Sequence, residues 1–274
     1  MAVVSFASAK GGVGKTTLAV NVAAELALDG IPVTILDCDV NRHATQFCTV
    51  FGPANPNVQL RVLSDINKMN FVSRLSAAQS ASDIVVIDLP AGTSDISLRA
   101  IMMSNLVVIP AQKTVVDIRD AARTAAQVAE AEHLTRQEIR SVLVWSMVKA
   151  RWETRTEKVV TEEFLGMLTD PSRAVLSSPL LEYDAFPAGF FYGWVPRQHS
   201  SVSGQPVSLT SLDGTKTSLT IPGSTARAAR NVTLIARDIV SRLNEIAAGR
   251  DPGKLSLRPE ILEVIRRSPG MEES

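Results

Sequence analysis

Cysteine and histidine are scarce in this chain of 274 residues, which has only Cys38, Cys48, His43, His133 and His199. Two thiols without C-x-x-C spacing exclude a disulfide framework and fit a reducing compartment. The histidines are scattered without ligand spacing, so no metal site beyond a magnesium ion is expected. Aromatic residues make up 5% of a sequence that is 45% hydrophobic, so the core must be built from Ala, Val, Leu and Ile. Neither charge sign dominates: 28 Lys and Arg balance 28 Asp and Glu, and no global basicity points to nucleic acid. No apolar run approaches the roughly 20 residues that span a bilayer, so stable membrane insertion is not expected. Met1 leads straight into an apolar strand with no signal-peptide pattern, and the expected location is the cytoplasm.

One stretch is rich in what the rest lacks. Residues 8–17 read Ser-Ala-Lys-Gly-Gly-Val-Gly-Lys-Thr-Thr, three glycines between an apolar run and an Ala/Leu/Val-rich stretch at helical spacing that stops at Gly30. A glycine-rich turn between a strand and a helix N-terminus is what a phosphate-binding loop requires. Glycine lets the backbone turn tightly and aim N–H groups at an anion, and the helix N-terminus adds unpaired donors and partial positive charge. Gly11, Gly12, Val13, Gly14, Lys15, Thr16 and Thr17 are thus the candidate nucleotide-binding residues. Lys15 would reach the terminal phosphates, and the Thr16 hydroxyl would bind Mg²⁺. Lys10 is a second lysine that the phosphate loop alone does not require.

With that lysine, Lys10-Gly-Gly-Val-Gly-Lys15-Thr-Thr17 resembles the deviant Walker A motif of the ParA/MinD family of ATPases. The resemblance implies that Lys10 crosses a dimer interface to touch phosphate in the partner's site, so that ATP controls homodimer formation. Further segments resemble the same family in order. Ile31–Asp39 is an apolar strand ending in Asp37 and Asp39. The resemblance makes Asp39 the residue that activates water and Asp37 a support of the Mg²⁺ shell. Asp83–Gly92 has the Walker B form, in which Asp88 would hold Mg²⁺. Asn105–Pro110 resembles the next strand, and Asp117 opens the helical stretch after it. The family's Pro-Gln after the second acid is Val40-Asn41 here, and Ser146 stands near the place of its adenine-reading Asn. The cofactors implied are ATP and Mg²⁺, and the activity is a slow, partner-stimulated ATPase.

The pattern along the chain predicts strands at 2–8, 32–37, 83–88, 105–110, 141–147 and 173–177. Helices are predicted at 15–29, 43–50, 65–80, 116–133, 154–168 and 224–247, with a polar segment at 53–64. Alternation of this kind calls for an α/β fold with a mainly parallel central sheet flanked by helices, which the glycine loop and the family resemblance make a P-loop NTPase. Residues 1–249 would form the ATPase domain, and 250–274 a tail with a short amphipathic helix carrying Ile261, Leu262 and Ile265. Residues 185–194 concentrate aromatics, which fit core packing or base stacking. Residues 207–221, with Asp213-Gly214 at the centre, read as an inserted β-hairpin.

Use of the ATPase is less directly written. The resemblance implies that an ATP dimer binds DNA without sequence preference through basic C-terminal helices. Arg227, Arg230, Arg237 and Arg242 are the candidates, on a helix whose opposite stripe is Val232, Ile235, Ile239 and Leu243. The same arginines fit an ordinary solvated face. Arg151, Arg155 and Lys158 form a second, weaker basic patch. The first reading is a nucleoid-associated ATPase that segregates or positions plasmid, chromosome or other cargo with a hydrolysis-stimulating adaptor. The second is an accessory ATPase of conjugative or T-DNA transfer, whose ParA-like protein 178–186 and the hairpin resemble. A MinD-type membrane-associated ATPase is the third, with 258–267 a poor targeting helix. A metabolic P-loop kinase would need a second-substrate motif that is not found.

Overall fold

The computed structural model describes residues 1–210 and 216–267. Six strands, β1 (Ala2–Phe6), β2 (Val33–Asp37), β3 (Leu60–Leu63), β4 (Ile84–Asp88), β5 (Leu106–Ala111) and β6 (Arg140–Trp145), form one sheet in the order β3-β2-β4-β1-β5-β6. All neighbours are parallel. Both faces are covered, which is why the strands other than edge strand β3 read as largely apolar runs. Alternation divides them between two cores: Val4, Phe6, Ile35, Val86, Val108 and Val144 pack on one face, and Val3, Leu36, Val85, Ile87, Val107 and Leu143 on the other. Full burial of a side chain such as Phe6 stabilises by about 1.5–3 kcal/mol.

The first face is covered by α1 (Lys15–Leu28), α2 (His43–Ala54), α8 (Ala185–Tyr192) and α9 (Thr225–Ala247). The second carries α3 (Phe71–Ala81), α4 (Asp95–Met102), α5 (Val115–Thr135), α6 (Arg155–Gly166) and α10 (Pro259–Arg266). The polar segment 53–64 contains β3, whose side chains are only partly buried because it is an edge strand. The strand expected at 173–177 is instead α7 (Pro171–Ala174) and a one-residue parallel bridge from Val175 to Leu143. Pro171 at the first helical position and the Asp170 carboxylate, which accepts from Ser172 N at 3.1 Å, start a helical turn there. The aromatic segment is a helix, α8, which tolerates Pro187 because it falls in the first turn, where no backbone donor is needed. Its Phe186 packs in the core, as does Trp194 just beyond, and Phe190 lies 5.6 Å from Phe47 of α2.

The hairpin is a separate two-stranded antiparallel sheet, β7 (Pro206–Thr210) and β8 (Lys216–Thr220), which runs through Ile221 into α9. Its expected Asp213-Gly214 turn lies outside the described residues. After α9 the chain returns to the second core: Leu255 N donates to Ser141 O at 2.7 Å, and Leu257 bridges Leu168. Ile261, Leu262 and Ile265 of α10 then pack on that core, where α10 meets α5. Among the described residues no helix is long and apolar enough to cross a membrane.

Candidate nucleotide-binding site

Parallel pairing sets the site. Register places Phe6 of β1 and Asp37 of β2 opposite Asp88 of β4, so three carboxyl ends stop at one level. The loop 7–14 leaves that edge between β1 and α1, where open α/β sheets bind ligands. Gly12 and Gly14 have φ of 77° and 89°, the left-handed region that glycine enters without strain. Gly14 has a second reason to be glycine: a Cβ there would stand 2.6 Å from Ser146 Oγ. That hydroxyl is buried and makes no hydrogen bond among the described residues. Gly14 is also the N-cap of α1, so the loop delivers the chain straight to a helix N-terminus.

The two lysines are both held inside the chain. Lys15 is buried, and its Nζ donates to the carbonyl of Lys10 at 3.2 Å. Burial lowers its pKa, and the charges of Asp88 and Asp39 work against that shift. Lys10 Nζ donates to both oxygens of Asp117, at 3.1 and 3.2 Å. Asp117 lies in the first turn of α5, its side chain 1% exposed, and also accepts from the Thr114 hydroxyl. Sequence reasoning gave Asp117 only a place at a helix start. Thr114-x-x-Asp117 is a capping signature, and that signal says nothing of a lysine more than a hundred residues away.

The acids differ in how they are occupied. Asp37 Oδ2 accepts from Thr45 N at 2.8 Å and Thr45 Oγ1 at 2.7 Å, and its Oδ1 accepts from Asp39 N at 3.2 Å. It therefore braces the start of α2. Asp39 is half-buried, and its Oδ1 accepts from both Asn41 N and Asn41 Nδ2 at 2.9 Å. Asn41 thus orients Asp39 from the position where the family pattern has Gln. Asp88 is fully buried, and among the described residues neither oxygen completes a well-formed hydrogen bond. Burial pushes its pKa up to about 7, while the Thr16 hydroxyl and Lys15 oppose the shift and Asp37 and Asp39 add to it. The structure therefore brings Lys15, Thr16, Asp37, Asp39 and Asp88 to one place. An orphaned carboxylate beside a threonine hydroxyl is an oxygen donor set that suits Mg²⁺. Between the site acids, Cys38 is pushed up to about 12 by burial and by Asp37 and Asp88, so it stays a neutral thiol.

The arginines of α9 separate. Arg227, Arg230 and Arg237 are exposed and make no ion pair among the described residues. Arg242 does not join them, which corrects its place in the basic face. It is buried, donating through Nη1 to Arg173 O at 3.0 Å and Pro252 O at 2.9 Å, and through Nε to Asp238 Oδ1 at 3.2 Å. Being five residues beyond Arg237, it points to a different side of the helix. The second patch is partly neutralised. Arg151 pairs with Glu157 through two bonds of 3.0 Å, and Lys158 lies 3.8 Å from Glu162.

A glycine loop between β1 and α1, a second lysine before it and two strand-end acids in register with it define a P-loop protein of the ParA/MinD type. The VirC1 protein family model matches residues 1–207. The protein ParA of Rhizobium radiobacter is 32% identical over 196 residues, covering 70% of this chain and 84% of that protein. The virC1 protein of Rhizobium rhizogenes is 28% identical over 201 residues, covering 69% and 80%. Among solved structures, the MinC:MinD cell division complex of Aquifex aeolicus superposes with a TM-score of 0.60 at 17% identity, over 88% of this chain and 96% of that one, a likeness of fold. The chain belongs to the VirC1 family and is related to the ParA and virC1 proteins of rhizobia.

Proposed function

We propose that this chain binds ATP and Mg²⁺ at the carboxyl edge of its sheet, forms a homodimer when ATP is bound, and uses slow, partner-stimulated hydrolysis to reset the dimer. The observation that carries the reading is Asp88, a buried acid with no satisfied hydrogen bond beside Thr16 and Lys15. Such a group is costly unless a cation meets it. Thr16 and Asp88 would hold the metal, with Asp37 supporting the shell through its charge because its oxygens are already engaged. When bound, Mg²⁺ supplies positive charge that offsets charge developing on the transferred phosphoryl group. Lys15 orients the terminal phosphates, and Lys10 does the same for the second copy's nucleotide. Asp39 aligns the attacking water through Oδ2, which no hydrogen bond among the described residues engages, while Asn41 fixes Oδ1.

The dimer then binds DNA without sequence preference through Arg227, Arg230 and Arg237, and segregates or positions plasmid, chromosome or other cargo with an adaptor protein. A nucleoid-associated cytoplasmic location goes with this reading. The transfer reading, an accessory ATPase of DNA transfer, is favoured by one observation: the family match extends over 178–186, the stretch that resembles that branch. The MinD-type membrane reading loses support because Ile261, Leu262 and Ile265 of α10 are packed against the second core. The test is a DNA-retardation assay with ATP, ADP or no nucleotide, repeated with Arg230→Glu/Arg237→Glu. Binding only with ATP, weakened by salt and lost in the double variant, is the expected result. Salt-sensitive binding that survives the double variant overturns the α9 surface, and recruitment to anionic vesicles in place of DNA overturns the DNA reading.

A further inference from the structure

The pairing of Lys10 with Asp117 has a direction. Asp117 is the fixed member: its carboxylate is 1% exposed, its N–H donates to Thr114 Oγ1 at 3.2 Å, and the Thr114 hydroxyl donates back to it. It also lies in the first turn of α5, where the helix dipole favours an anion. Lys10 is the movable member, a flexible stem that reaches in from the surface with its side chain 40% exposed. The lysine can leave, and the acid cannot follow. Leaving strips a buried carboxylate of its cation, so Lys10 departs only when another anion takes over its charge.

A second contact ties this movement to the nucleotide. Lys15 Nζ is bound to the carbonyl of Lys10 itself, at 3.2 Å. A phosphate that draws the Lys15 amine away frees the peptide unit that carries Lys10. Nucleotide arrival on one's own loop thus loosens the lysine meant for a second copy.

We propose that Asp117 is a positioning residue that parks Lys10 on its own subunit and thereby sets the affinity with which two nucleotide-loaded chains associate. This rests on the reading of Lys10 as a cation given to the second copy's phosphate. A parked lysine lowers the competent fraction of monomers, and apparent affinity falls by that fraction.

The test is the monomer–dimer Kd of the full chain with Mg²⁺ and AMPPNP, measured by sedimentation. Asp117→Asn, close in shape, is expected to tighten the dimer about 5- to 10-fold, whereas Asp117→Glu, which keeps the charge, stays near wild type. In a Lys10→Gln background Asp117→Asn is expected to change nothing, a dependence that a merely structural role would not produce. Thr114→Val is the second variant, should Asp117→Asn fold poorly. It removes the hydroxyl that shares the carboxylate's charge, strengthens the hold on Lys10, and is expected to weaken the dimer about 2- to 3-fold. The proposal is overturned if Asp117→Asn weakens the dimer as Lys10→Gln does, since Asp117 would then hold Lys10 in its productive place. It is also overturned if Lys10→Gln weakens the dimer while neither Asp117→Asn nor Thr114→Val moves it. If Lys10→Gln itself leaves the dimer unchanged, the reading of Lys10 fails first and takes this inference with it.

Discussion

The lysines of the phosphate loop and the arginines of α9 carry the same charge and are held in opposite ways. Lys10 and Lys15 each donate to a group within the chain, one a buried carboxylate and the other a backbone carbonyl. Arg227, Arg230 and Arg237 stand exposed with no ion pair among the described residues. A cation that must meet a phosphate at one position benefits from a pre-set geometry, because ordering it at the moment of binding costs side-chain entropy. Cations that meet a polyanion at no fixed register need only be accessible. Arg242 shares its helix with the second group and its manner of holding with the first, and its role is to fasten the return of the chain at Pro252.

Lys15→Ala breaks the comparison most severely. It removes the only loop lysine aimed into the site, and nucleotide affinity measured by calorimetry is expected to fall more than about 100-fold, in line with the loss of a charge-assisted phosphate contact in a dry site. Micromolar binding retained by the variant would place the nucleotide elsewhere. Next in size is the contrast within α9. Arg242→Ala leaves the partly buried Asp238 without its cation and strips the carbonyls of Arg173 and Pro252 of their buried donor, a loss of about 2–4 kcal/mol in denaturant unfolding. Arg237→Ala, on the exposed side, is expected to stay within about 0.5 kcal/mol of wild type. Equal effects in the two variants would erase the distinction between fastening and surface arginines.

The same contrast explains what could be read before the fold was known. That the loop, Asp37, Asp39 and Asp88 share one edge was legible because each stands at a fixed offset from a strand end, and β-register then brings distant strand ends together without further instruction. Edge strand β3 was not legible: partly buried on both sides, it has neither the unbroken apolar run of its neighbours nor a clean alternation. Helix α4 was missed because its eight residues supply barely two turns of periodicity, though Ser94 caps it by accepting from Ser97 N at 3.1 Å. Arg242 looked like its neighbours because helical spacing gives an angle about the axis and does not say what packs there. The ion pair between Lys10 and Asp117 was beyond reach for a related reason. It depends on α5 and the loop meeting at the edge of the sheet, and neither sequence names the other.

Asp88→Asn tests the cheaper side of the comparison, a buried group held without a partner. Its carboxyl is pushed up to about 7 from an ordinary 3.8 by burial, so the folded chain holds this proton more tightly than the unfolded one. The contribution to stability therefore falls as pH rises from about 4 to about 7 and levels off above that window, where the buried acid is ionised. Asparagine has no charge to bury, so the nucleotide-free variant is expected to be more stable at pH 8 by about 1–2 kcal/mol and to match wild type near pH 4. The melting temperatures of the two proteins, followed from pH 4 to pH 8 without metal or nucleotide, should separate progressively across that window. The same variant should lose the added stability that Mg²⁺ with nucleotide gives the wild type, because the neutral amide is a weak ligand for a hard cation. A variant that is no more stable than wild type at pH 8 and still gains from Mg²⁺ would move the metal away from Asp88. Gain on one count and loss on the other is the signature of a residue kept for its ligand at a cost to the empty fold.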